Sequence, residues 1–175
     1  MKFHKLAIFV TGLALLAVPA FAQDATPPAN PLDVVPDAMP FNQPYGAPIT
    51  LAHARQLIDA VVAETKKRGW AMNVSVVDSG GNLVAFAHMD NSQLASIAIS
   101  QHKARTAAKY RRPTKAFEDA VQHGNVYVLT LDDVIASRGG IPLVENGKII
   151  GAIGCSGGTG SQDATVCQVG ADMVK

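Results

Sequence analysis

The stretch Ile141-Pro142-Leu143-Val144-Glu145-Asn146-Gly147-Lys148-Ile149-Ile150-Gly151-Ala152-Ile153-Gly154-Cys155 decides the fold. Two runs rich in β-branched residues meet at Asn146-Gly147, a pair that tolerates positive φ at both central positions of a tight turn. The segment therefore predicts an antiparallel hairpin. A second hairpin is predicted upstream, where residues 72–77 and 83–89 flank Asp78-Ser79-Gly80-Gly81-Asn82. There Asp78 is placed to bond the turn backbone through its side chain.

Outward from these hairpins the pattern turns helical. Thr50 offers an N-cap oxygen, Leu51, Ala54, Ile58, Val61 and Val62 recur at helical spacing, and Gly69 ends the pattern, so a helix is predicted over 51–68. A long helix over 92–110 carries Leu94, Ile97, Ala98, Ala104 and Ala107 on its apolar side and stops before Pro113. A shorter helix follows from Thr114 to about His123, then a strand at Val126–Leu129, then the Asn-Gly hairpin. A last helix, 161–174, starts behind the loop Ser156-Gly157-Gly158-Thr159-Gly160. The order helix, two strands, two helices, three strands, helix groups hairpins instead of alternating βαβ units. It predicts an α+β domain with a five-stranded, mainly antiparallel sheet flanked by helices.

The chain begins with Met1-Lys2-Phe3-His4-Lys5, an apolar run from Leu6 to Val18, and Ala20-Phe21-Ala22. That is the pattern of a secretory signal cleaved after Ala22, which predicts a periplasmic or secreted protein. The apolar run is short for a membrane span and no second one follows, so no stable membrane insertion is expected. Residues 23–48 are rich in proline and read as an extended tether, partly ordered on the domain through Met39, Phe41 and Tyr45. The domain itself is assigned to 49–175. Cleavage would remove Lys2 and Lys5 from the 15 basic residues and none of the 14 acidic ones. The resulting near-neutral balance argues against nucleic acid as a partner. Cys155 and Cys167 either join in an oxidising compartment or pack as two small buried thiols.

Taken in order, several short motifs resemble the GlcG/HbpS family, which is related to the C-terminal domain of PduO. They are Val76–Leu83, Lys103-Ala104-Arg105-Thr106-Ala107-Ala108, Arg112-Pro113-Thr114, Gly139-Gly140-Ile141-Pro142 and Gly151–Gly158. The resemblance spans residues 49–174. It implies a profilin-like sheet, self-association into homo-oligomers, and heme binding in several members, sometimes with slow heme breakdown or a sensing role.

A heme site needs an apolar slot, an axial donor and donors for the propionates. His53 and His102 are the leading candidate iron ligands: the first opens a helix near the tether, and the second lies beside Lys103 and Arg105 on a helix of small residues. His88 and His123 rank lower, the former at a strand end beside Met89, the latter explained by a helix C-terminus. Arg105 and Arg112 are candidate propionate partners. Gly157, Gly158 and Thr159 lie between a strand and a helix, where amides can point at an anion. Each of these residues also has an ordinary structural reading, as a solvated helix face or a turn. The alternative to heme is a binding and assembly module for a small anionic ligand, without catalysis. No nucleophile elbow, catalytic triad order or metal-ligand spacing is present in the sequence.

Overall fold

In the computed structural model, residues 33–175 are described, and Ala38–Lys175 form one compact unit. The predicted signal segment and the first part of the predicted tether lie outside the described residues. Four helices, α1 (Leu51–Arg68), α2 (Ala95–Tyr110), α3 (Lys115–Gln122) and α4 (Gly160–Ala171), accompany four strands, β1 (Asn73–Asp78), β2 (Leu83–His88), β3 (Gly140–Glu145) and β4 (Lys148–Ser156). The sheet has the order β2-β1-β4-β3, with every pair antiparallel. The α+β class stands.

The predicted count of five strands is corrected to four. Val126–Thr130 is a 3₁₀ turn that pairs with no strand. A short run can join a sheet only if alternate side chains find a core. Here only Val128 is buried, while Val126, Tyr127 and Leu129 are exposed, and Gly124 with φ 87° turns the chain just before them.

Both hairpins close as their turn chemistry requires. Asn146 and Gly147 take φ of 50° and 74°. The Asp78 carboxylate accepts from the Gly80 and Asn82 amides at 2.8 and 2.9 Å. Thr50 caps α1 by accepting from the His53 amide, and Gly69 ends it in the left-handed conformation.

The two sheet faces pack differently. Val74, Val76, Ile153 and Cys155 point into a core shared with Leu57, Ile58 and Val61 of α1 and Val166 and Cys167 of α4. A disulfide joins Cys155 to Cys167 across that core, tying β4 to α4. On the other face α2 lies almost directly on the strands. A Cβ at Gly154 would come within 2.1 Å of the Ser100 carbonyl oxygen, and one at Gly140 within 2.2 Å of that of Lys103. Only small residues fit such an approach, so Ser96, Ser100, Ala104, Ala107 and Ala108 are buried on α2, with Lys103 and Thr106 buried beside them, whereas Leu94 and Ala98, expected inside, are exposed. Hydroxyl pairs complete the seam: Ser75 with Ser100 at 2.8 Å, and Ser156 with Ser96 at 2.9 Å.

The end of the tether belongs to this unit. The amides of Gly46 and Ile149 bond the carbonyls of Ile149 and Pro44, each at 2.8 Å, beyond the end of β1.

Candidate functional site

The leading histidines lie in opposite layers. His53 sits in the first turn of α1, half-buried, on the rim of a cleft with Pro48, Ile49, Glu145 and Ile150. His102 sits on α2, across the sheet. The small residues of α2 are the ones pressed onto the strands, and His102 lies off that stripe. Its Nε2 is buried without a hydrogen-bond partner, 3.5 Å from Asp133 Oδ1. Arg105 meets the same oxygen at 3.4 Å, and Lys109 reaches Oδ2 at 2.7 Å. Burial opposes the charge on Asp133, but Lys109 and Arg105 outweigh it and hold its pKa below the usual carboxylate value. The bond to Asp133 in turn raises the pKa of Lys109. His102 and Arg105 are thus brought together, around an acid from a loop.

Arg112 lies apart from them, stacked between Phe41 and Phe117. Gly157, Gly158 and Thr159 form the entry to α4, but the amides of Gly158 and Thr159 are spent internally. Gly158 N donates to Asp163 Oδ1 at 3.0 Å, and Thr159 N to Gln162 Oε1 at 2.9 Å within a capping box. Asp163 is itself buried and takes the Lys103 ammonium on its other oxygen. The loop is a braced helix start, with two of the three candidate amides already engaged.

His88, ranked low from sequence, is the best-prepared imidazole. Its Nδ1 lies 2.6 Å from Oδ1 of Asn73, a fully buried residue, and 3.0 Å from Ser92 Oγ. Asn73 Nδ2 donates to Ser92 Oγ, and Ser92 donates to the Met89 carbonyl, so Asn73 Oδ1 needs a donor and Nδ1 carries the proton. The exposed ring is left with a lone pair on Nε2, the state a metal-ligating histidine requires. His88 adjoins a groove between α1 and β2 that runs past Val62, Lys66, Ala87 and Met89 and continues at Ala87 to Arg55 and Ile58. His123 also has its Nδ1 engaged, with the Asp119 carbonyl of its own helix. No signal near His88 reveals its network, because Asn73 lies 15 residues away.

These features define an α+β protein with an antiparallel four-stranded sheet, one disulfide-braced face and one face sealed by a small-residue helix. The family profile "Haem degrading protein HbpS-like" matches residues 49–172, and the chain belongs to that family. It is 41% identical to protein GlcG of Escherichia coli K12 over 107 residues, which is 59% of this chain and 80% of GlcG. Among solved structures, Klebsiella pneumoniae protein ORFY is 32% identical with a TM-score of 0.68, covering 79% of this chain and 95% of ORFY. The structure titled PduOC:heme complex is 26% identical with a TM-score of 0.67, covering 74% of this chain and 96% of that one.

Proposed function

We propose that this protein binds heme. The single observation that carries the reading is its likeness to PduOC, solved with heme, over nearly the whole of that chain. The side chains fit the demand in one region. The groove between α1 and β2 offers apolar walls in Ile58, Val62 and Val84 and cations in Arg55 and Lys66 suited to carboxylates, and at its rim stands His88 with its tautomer fixed, its ring bonded to Asn73 and Ser92 on the α2 side of the sheet. His53, at the start of α1, is the second axial candidate. His102 ranks third, because its Nε2 is buried beside Asp133, on the far side of the sheet from the groove. Bound heme would supply an iron centre whose potential follows the axial ligand and its burial. The chain's own part is to orient one imidazole, hold the carboxylates and shield a ring face.

Two accompanying readings belong to the same proposal. Export is supported by the N-terminal signal pattern and by the Cys155–Cys167 bond, since such bonds persist in oxidising compartments. Self-association is supported by β2, an edge strand with no Asp, Glu, Lys, Arg or Pro, on which Leu83 and Phe86 are exposed. A heme titration followed at the Soret band tests the central reading: saturation at a fixed stoichiometry is expected, and a linear, non-saturating rise would overturn it.

A further inference from the structure

At the C-terminal end of α2 are two consecutive cations that no acid among the described residues answers. The Arg112 guanidinium lies 3.9 Å from the ring centre of Phe41 and 4.5 Å from that of Phe117, with Tyr110 at 5.9 Å. Its Nε is buried with no hydrogen-bond partner. Burial pushes its pKa below the ordinary guanidinium value, offset only by Tyr127 and Tyr110. Arg111 donates one bond, to the Gln43 carbonyl, and stacks on Tyr45. Among the described residues neither arginine has a carboxylate partner. A partly desolvated cation without a counter-charge is costly unless something supplies it.

The ring that covers Arg112 comes from the tether. From Gln43 onward that segment is firmly anchored: the Tyr45 hydroxyl donates to the carbonyls of Ala108 and Lys109 at 3.1 and 2.9 Å, and Pro44 and Gly46 bond β4. Phe41 lies outside those anchors. It holds φ at 55°, a left-handed conformation that is an outlier for a bulky residue, and its residue surface remains 46% exposed. A strained, half-exposed ring on an unanswered cation is a contact that a better partner can replace.

We propose that Arg112, Phe117 and Tyr110 form a binding site for a small planar aromatic carboxylate, and that Phe41 is its built-in plug. The incoming ring takes the place of Phe41 on the guanidinium face, and the carboxylate supplies the charge that Arg111 and Arg112 lack. The proposal does not rest on the heme reading, whose groove lies between α1 and β2.

The test uses 2-naphthoate as probe, titrated into the wild-type chain, Phe41→Ala and Phe41→Ala/Arg112→Lys, with neutral 2-naphthalenemethanol as control. Phe41→Ala is expected to bind 2-naphthoate about tenfold more tightly than wild type, the factor for releasing one cation–π contact. Arg112→Lys should undo that gain, and the alcohol should not bind. Should the lysine variant fail to fold, the Arg112 Nε–H resonance in Phe41→Ala serves instead and should shift on titration. Absence of saturable binding to Phe41→Ala, or binding that leaves this resonance unmoved or survives the lysine substitution undiminished, overturns the proposal.

Discussion

Lys103 Nζ and Asp163 Oδ2 meet at 2.7 Å with side chains only 2% and 3% exposed, joining α2 to the first turn of α4 around the end of the sheet. The pair is enclosed by Gly139, where an added Cβ would come within 3.1 Å of Nζ and 2.9 Å of the Asp163 Cβ. Asp163 also holds the Gly158 amide, so one carboxylate fixes a helix, a loop and a buried cation.

Removing one member strands the other charge in the interior. Lys103→Met is therefore expected to cost about 3–5 kcal/mol. The double variant Lys103→Met/Asp163→Leu should recover part of that loss, because no lone charge remains buried. Urea unfolding of the two variants checks this, and a double variant no more stable than the single one would show that the bond to Gly158 dominates.

The disulfide closes a loop between residues 12 apart, and both cysteines are fully buried. Replacing both by alanine is expected to lower stability by about 3 kcal/mol. Reduction of the folded wild type should be slow and should track global unfolding, because no reductant reaches the sulfurs in the native state. Thiol labelling at increasing urea reads this directly, and rapid labelling without urea would contradict it.

Glu118 gives the fold an acid-sensitive contact. Its carboxylate accepts from Arg138 Nε at 2.8 Å and from the Arg138 amide at 2.7 Å. The side-chain bond outweighs burial and holds its pKa below the usual carboxylate range. A carboxyl with a depressed folded pKa stabilises above its unfolded value, about 4.3, and loses that contribution as pH falls through the folded value. Both partners are partly exposed, so the effect is at most about 1 kcal/mol. Between pH 7 and pH 3, Glu118→Gln should lose less stability than wild type, as urea midpoints will show. Equal losses would remove Glu118 from the acid transition.

Edge strand β2 should mediate self-association. Phe86→Lys places a charge beside the unpaired edge and is expected to reduce the mass seen by light scattering on size exclusion, with the circular dichroism spectrum kept. A wild-type protein that elutes as a monomer, or a mass unchanged in the variant, would contradict this.

Much of the architecture was legible because local chemistry decides it. Asn146-Gly147, Asp78 with its glycines, Thr50 and Gly69 each specify a turn or a helix end within a few residues. What the sequence hid depends on distant partners. Val126–Leu129 has strand-forming composition, yet the strand count depends on whether a neighbouring strand and a core await it, and only Val128 finds one. The seam under α2 runs against hydrophobic patterning, because close approach selects size over apolarity. Lys103 amid Ser100, Ala104 and Ala107 was the one visible sign of a buried ion, but its partner lies 60 residues on. At the candidate site, chain neighbours point to His53 and His102, whereas the readiness of His88 depends on Asn73, which only the fold brings to its ring.

The most direct test of the account is a Soret-band heme titration of the chain lacking residues 1–22, run beside His88→Ala, His53→Ala and His102→Ala. Saturable binding in wild type, with the band shifted or lost in His88→Ala and unchanged in His102→Ala, is the predicted result. A band unchanged in both His88→Ala and His53→Ala, or no saturable binding at all, would contradict it.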